Sequence, residues 1–156
     1  MKKTVFCLCI LFAVLINMTS CDSSEKIVSS LGSYDRMESY SRGDYQDYTD
    51  YQKYYFSEVS PEDNPYFESV GERDTSDLYA CLDDFENLIR YYAEEDPTQE
   101  LVLHYDFDRS VIDFQDYFYL ECQKAPVDDE VVILTSYDLY ILDVQTSTLY
   151  YFHDNI

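Results

Sequence analysis

The strongest constraint on the fold is an apolar stripe between Asp74 and Asp96. Its members recur at steps of three and four residues: Leu78, Cys81, Leu82, Phe85, Leu88, Ile89 and Tyr92. This spacing places them on one side of an α-helix, with charged residues on the other side. Thr75 or Ser76 can cap the helix, and Pro97 prevents its continuation. The stripe therefore predicts an amphipathic helix that covers an apolar surface formed by another part of the chain.

The residues after this helix change to the two-residue alternation that is typical of β-strands. In residues 101–108 the Leu, Tyr and Phe side chains share one face. Residues 131–134 are apolar and mostly β-branched, which indicates a central strand. Residues 139–144 and 148–153 alternate on either side of a short loop, and this pattern predicts a hairpin.

Residues 111–122 are less regular, because Asp116 interrupts their apolar face. A strand with a bulge or turn near Asp116 fits best, although the first half could also be helical. Short connections favour antiparallel pairing. The predicted fold class is therefore α+β, with one amphipathic helix packed on an antiparallel sheet of four to five strands. We place this domain at residues 61–156, beginning with a turn-rich junction that contains Pro61, Pro65 and Gly71.

Residues 21–60 predict a flexible, acidic tether that is rich in tyrosine. Every third residue is aromatic at Tyr45, Tyr48, Tyr51 and Tyr54. A step of three fits neither a strand nor a regular α-helix, but it suits an extended chain with three residues per turn. Two interpretations stay open: a solvated spacer, or a strip of tyrosines that binds a partner.

The first 20 residues have the pattern of a secretory signal. Lys2 and Lys3 precede an apolar run over residues 5–16, which is shorter than the roughly 20 residues that span a bilayer. Met18-Thr19-Ser20-Cys21 resembles the lipobox of bacterial lipoproteins. The resemblance implies removal of residues 1–20 and acylation of Cys21. It also implies export and a lipid anchor in a bacterial cell envelope, with a Gram-negative pattern around Asp22. An ordinary secretory signal or a retained anchor helix would be the other interpretations.

Charge limits the choice of partners. The chain has 32 Asp and Glu against 10 Lys and Arg, and two of those lysines lie in the signal. Nucleic acids and anionic lipid surfaces need clustered Lys and Arg, so both are poor partners. A basic protein or a cation is compatible with this charge, and so is a charge that only maintains solubility.

Two sets of residues are candidates for special chemistry in the mature domain. Cys81 and Cys122 could form a disulfide in an exported protein, or remain as two separate buried thiols. His104, Asp106 and Asp108 would share one face of the predicted strand. Carboxylates there suit calcium and a histidine favours zinc, although a plain solvated face fits the same pattern.

Catalytic motifs are missing from the sequence. It has no Gly-x-Ser-x-Gly elbow, no glycine-rich phosphate loop and no Cys-x-x-Cys pair. We therefore expect a non-catalytic, protein-binding envelope lipoprotein, acting as an adaptor or as an inhibitor or immunity-like module without a cofactor. A surface lipoprotein that binds glycan or calcium and a structural spacer are the alternatives.

Overall fold

A computed structural model describes residues 23–43, 48–126 and 132–155. Six strands form one open antiparallel sheet, accompanied by a few helices. The prediction of an α+β fold with a helix and an antiparallel sheet is confirmed. The sheet has six strands instead of four to five. Two of them, Arg36–Gly43 and Tyr48–Tyr55, come from the segment predicted to be a tether, whereas the two strands predicted within residues 131–144 belong to one strand, Val132–Asp143.

The sheet has the strand order β1-β2-β6-β5-β4-β3. Its strands are β1 (Arg36–Gly43), β2 (Tyr48–Tyr55), β3 (Glu68–Ser69), β4 (Tyr117–Pro126), β5 (Val132–Asp143) and β6 (Thr148–Asn155). The predicted hairpin is confirmed as β5 and β6, in which Asp143 lies opposite Thr148. In the centre of the sheet β2 pairs with β6, so that Tyr51 lies opposite Phe152.

Within the described residues, three α-helices accompany the strands: α1 (Ser23–Ser29), α2 (Ser76–Glu95) and α3 (Glu100–His104). Two 3-10 turns cover Val70–Glu72 and Arg109–Val111. Residues 33–156 form one compact unit, and α1 belongs to a separate unit of residues 1–32. Among the helices described, none has the length and apolar character needed to cross a membrane.

Helix α2 agrees with the sequence prediction in its extent and in its apolar side. Its buried residues are Leu78, Cys81, Leu82, Phe85 and Ile89. They share one core with Tyr51, Leu139 and Phe152 of the sheet. Helix capping differs from the expectation, because the Asp74 carboxylate accepts a hydrogen bond from the Ser76 backbone N–H at 2.9 Å. Burial of large apolar side chains, each contributing about 1.5–3 kcal/mol, holds α2 on the sheet.

The prediction of a flexible tether over residues 21–60 is wrong for β1 and β2. Successive side chains of a strand point to opposite faces of the sheet. Tyr51 and Tyr54 are three residues apart and therefore lie on different sides. Tyr51 is fully buried in the helix-side core. Tyr54 is 8% exposed and packs edge-on against Tyr34, with 5.2 Å between ring centroids. A strand that is buried on both faces shows no clean alternation in its sequence.

The strand predicted over residues 101–108 is also wrong. Residues Glu100–His104 form the short helix α3, and an extended segment follows from Tyr105. Leu101 is fully buried, whereas Leu103 is 63% exposed, so the expected shared face does not exist. Apolar and aromatic residues at four alternate positions fit a strand, but so short a pattern also occurs in segments that form no strand.

Candidate functional site

An acidic groove lies beside the segment that connects β2 to β3. It has a volume of about 390 Å³, and buried Phe67 and half-buried Tyr117 contribute to its lining. Four exposed carboxylates surround it: Glu62, Asp63, Glu68 and Glu72. Arg73 is the single Lys or Arg among the described lining residues, and its Nε lies 3.1 Å from Glu68. The groove therefore has a marked excess of negative charge.

Local backbone geometry fixes the first part of this groove. The Asn64 backbone N–H donates to the Pro61 carbonyl at 3.0 Å, which closes a tight turn. Asp63 in this turn has a φ of 64°, a left-handed conformation that Asp tolerates better than most residues. The Tyr66 backbone N–H donates to the Asn64 side chain at 3.0 Å. These bonds hold the acidic turn in place.

Phe114 is an exposed aromatic residue in a turn that packs beside the 3-10 turn Val70–Glu72. Its side chain is 71% exposed, on the turn that precedes β4. This turn packs against the 3-10 turn Val70–Glu72, which supplies Glu72 to the groove. A Cβ at Gly71 would come within 2.8 Å of the Phe114 carbonyl oxygen, so glycine is required there. The close approach puts the backbone of Phe114 next to Gly71, which directly precedes Glu72 of the groove.

Asp116 holds the turn that carries Phe114. Its carboxylate accepts hydrogen bonds from the backbone N–H groups of Asp113 at 2.9 Å and Val144 at 3.0 Å. Its backbone carbonyl accepts a further bond from Val70 N–H at 2.9 Å. Asp116 is 1% exposed, and this burial raises the pKa of its carboxyl group. The turn predicted at Asp116 is therefore present, with a buried carboxylate that ties three segments together.

A second, more apolar groove adjoins the acidic one. It has a volume of about 270 Å³ and shares Glu68 with the acidic groove. Tyr66 and Tyr119 line it and meet edge-to-face, with 6.0 Å between ring centroids. The two grooves together offer carboxylates and aromatic surface within one continuous region.

Most basic side chains of the described residues are neutralised by ion pairs, and all of these pairs except Arg73–Glu68 lie outside the acidic groove. Ion pairs engage six of the eight Lys and Arg residues in the described ranges, namely Arg36, Arg42, Lys53, Arg73, Arg109 and Lys124. Acidic residues outnumber basic ones more than threefold in the chain, and most carboxylates in the part that the structure describes take part in no ion pair. The acidic groove is one place where this excess coincides with a concave surface.

The residues predicted to bind a metal are not brought together, because they do not share a strand. His104 stacks on Tyr40 with 4.4 Å between ring centroids. Asp106 lies 2.8 Å from the Lys53 ammonium, and Asp108 accepts a bond from the Ser110 N–H at 2.9 Å. Across residues 23–43, 48–126 and 132–155, no three His, Cys, Asp or Glu side chains are arranged to hold a metal ion.

Asp106 instead belongs to a cluster around a buried lysine. The Lys53 side chain is 9% exposed and also lies 2.9 Å from Glu38. The Tyr51 hydroxyl donates to Asp106 at 2.8 Å. Burial disfavours the charged carboxylate, but the hydrogen bonds and charge of Lys53 outweigh it and lower the pKa of Asp106. This cluster fastens the segment after α3 to β2.

The other predicted site residues have different outcomes. Cys21 and Tyr45 lie outside the described residues. Tyr48 is 42% exposed and stacks on His153, whereas Tyr51 and Tyr54 are buried. The predicted partner-binding strip of tyrosines is therefore wrong for those two residues. Cys81 and Cys122 are free thiols in this structure, and their disulfide stays a prediction.

Sequence reasoning missed both the groove and Phe114. The acidic residues around Pro61, Pro65 and Gly71 were visible as a turn-rich junction, but their convergence depends on the path between β2 and β3. Phe114 belongs to residues 111–122, for which the sequence predicts a strand with an apolar face. Its exposure follows from the turn that the buried Asp116 carboxylate stabilises, and the break in alternation at Asp116 was the available signal.

Comparison with known proteins identifies no relative of this chain. No protein-family model matches it, and neither curated proteins nor solved structures give a significant match. The class of this protein is therefore argued from the α+β fold and the acidic groove alone.

Proposed function

We propose that this protein is a non-catalytic binding module that engages a basic protein at the cell envelope. In this proposal, residues 1–20 direct export and a lipid on Cys21 anchors the protein to the membrane. The acidic groove and Phe114 form the contact surface. An adaptor and an inhibitor of the immunity type both act in this manner, by occupying the surface of their partner.

The observation that carries this proposal is a highly exposed phenylalanine beside a groove with four carboxylates. Exposed aromatic residues are frequent anchors of protein interfaces, and they contribute most when the partner encloses them in a pocket. Carboxylates around such an anchor attract a basic partner, accelerate its association and disfavour acidic competitors. The groove offers space for Lys or Arg side chains of the partner, and the adjoining aromatic groove offers space for apolar ones.

The proposal is tested with a photo-crosslinking amino acid at position 114. Its matched control carries the same amino acid at position 103, where Leu103 is 63% exposed on a different part of the surface. Both variants are irradiated in intact cells, and the crosslinked proteins are identified. We expect a recurrent basic protein from position 114 that is missing from position 103.

Charge reversal then tests whether the groove recognises that partner. Glu62→Lys and Glu72→Lys place positive charge at the groove, and Glu94→Lys makes the same charge change on the exposed side of α2. The groove variants should weaken binding at low salt, and high salt should reduce the difference because surface charges are screened. Phe114→Ala should weaken binding about tenfold, the effect of a contact worth roughly 1.4 kcal/mol.

Two results would contradict the proposal. The first is a crosslinked partner that is acidic, or that crosslinks equally from positions 103 and 114. The second is binding that responds to Glu94→Lys as strongly as to Glu72→Lys, since net charge alone would then explain the affinity.

A further inference from the structure

The strongest further feature is the pair of cysteines that joins α2 to β4. Cys81 is fully buried in the core, and Cys122 is half-buried and packs against the same core cluster. Helix α2 lies on the face of the sheet toward which Cys122 points. Both sulfurs therefore occupy the single layer between α2 and the sheet.

Two contacts on either side of the cysteines set their relative position. On one side the Lys124 ammonium lies 2.7 Å from the Asp77 carboxylate. Cys81 follows Asp77 by one helical turn, about 6 Å along the axis. Cys122 precedes Lys124 by two strand residues, about 6.6 Å along β4 and on the same face. Each cysteine therefore lies about 6 Å from the ion pair, Cys81 along α2 and Cys122 along β4.

A second contact joins α2 to the sheet at the level of Cys122. Tyr137 lies opposite Cys122 in the pairing of β4 with β5. Its hydroxyl donates to Asp84 at 3.3 Å, and Asp84 follows Cys81 by three residues on α2. Cys81 thus lies between Asp77 and Asp84, two residues of α2 whose side chains contact the sheet near Cys122. The charge of a Cys122 thiolate also contributes to raising the pKa of Cys81, to about 12, after the larger effect of burial.

We propose that Cys81 and Cys122 form a disulfide when the folded protein meets an exchangeable disulfide. The Cys122 thiolate attacks one sulfur of a small-molecule disulfide such as oxidised glutathione and expels one glutathione thiolate. Cys81 then attacks the Cys122 sulfur and expels the second glutathione, which takes up the proton of Cys81. Two protein thiols are oxidised and one glutathione disulfide is reduced. Cys122 reacts first because Cys81 has no exposed surface.

The inference does not depend on the proposed function, since the cysteines do not line either groove. An exported protein would meet such disulfides in an oxidising compartment. In such a compartment, a bridge would join α2 to β4. It would also restrain the 40 residues between the two cysteines in the unfolded chain. The cross-link would therefore act on stability and leave the contact surface in place.

Peptide mapping of the full-length protein tests the bridge directly. The protein is oxidised with glutathione disulfide, alkylated and digested with trypsin without reduction. Trypsin releases Cys81 in residues 74–90 and Cys122 in residues 110–124, whereas Cys7, Cys9 and Cys21 fall together in residues 4–26. We expect the linked pair of 74–90 with 110–124, the loss of both alkylated peptides, and the separation of the pair by reductant.

Other outcomes of the same experiment would overturn the proposal. Both peptides could remain fully alkylated after oxidation, or each could be linked to residues 4–26 or to a second copy of itself. Thermal unfolding provides an independent measurement, because reduction should lower the Tm of the oxidised wild type and leave Cys122→Ser unchanged. An identical response of wild type and Cys122→Ser to reductant would contradict the bridge.

Discussion

Replacing Asp116 with alanine should destabilise the protein more than any exposed Asp→Ala change. The substitution removes both acceptors for the Asp113 and Val144 N–H groups, which the carboxylate binds at 2.9 and 3.0 Å. A buried donor without a partner costs about 1–3 kcal/mol. Loss of the buried negative charge offsets part of this cost, because burial raises the pKa of Asp116 and opposes ionisation. We expect a net loss of about 2–4 kcal/mol in the free energy of unfolding.

Urea unfolding and calorimetry measure this loss. At about 4 °C per kcal/mol for a chain of this size, Tm should fall by about 8–16 °C. Asp108→Ala is the matched control, since it removes one carboxylate that accepts a single backbone N–H from Ser110 in an exposed turn. A change for Asp116→Ala that is no larger than for Asp108→Ala would refute the assignment of Asp116 as the residue that joins these segments.

Two ion pairs with one buried partner each give further predictions. Lys53→Met should cost about 1–2 kcal/mol at pH 7, because it leaves Asp106 without a cation and Glu38 with Arg36 alone, while water still reaches both carboxylates. Since Lys53 lowers the pKa of both acids, this cost should shrink as urea unfolding is repeated below about pH 4, and a cost that persists there would contradict it. The Asp138–His153 pair has the opposite pH dependence. Burial disfavours the imidazolium, but Asp138 outweighs this effect and raises the pKa of His153. The stabilisation by this pair is therefore complete below pH 6.5 and is lost as the pH rises through the higher pKa of the folded state. The stability difference between wild type and His153→Phe should therefore decline between pH 6 and 9 by at most about 1.4 kcal/mol per pH unit, and a flat difference would rule out this linkage.

The sequence predicted the elements whose pattern is set by one buried face. Helix α2 was predicted because only one side of it meets the core, which gives steps of three and four residues from Leu78 to Ile89. The hairpin of β5 and β6 was predicted because local alternation around a short loop needs no distant information. The α+β class followed from these two elements.

The remaining elements depended on tertiary contacts that have no local pattern. The tyrosines of β2 at steps of three obscure a strand because Tyr51 and Tyr54 are buried on opposite faces of the sheet. Residues 101–104 adopt a helix because only Leu101 enters the core. The candidate site was equally hidden, because Glu62 and Glu72 meet across a groove and the exposure of Phe114 depends on the turn held by Asp116.

The pairing of β2 with β6 has a consequence for the order in which this protein can fold. Tyr51 and Phe152 are partners in the sheet although about 100 residues separate them in the chain. Closing so long a loop is entropically costly and gives slow folding dominated by non-local contacts. Helix α2 and the hairpin can form early, but β1 and β2 find their place only after the ribosome has made β6. The sheet of such a chain is completed later than one that assembles from neighbouring strands.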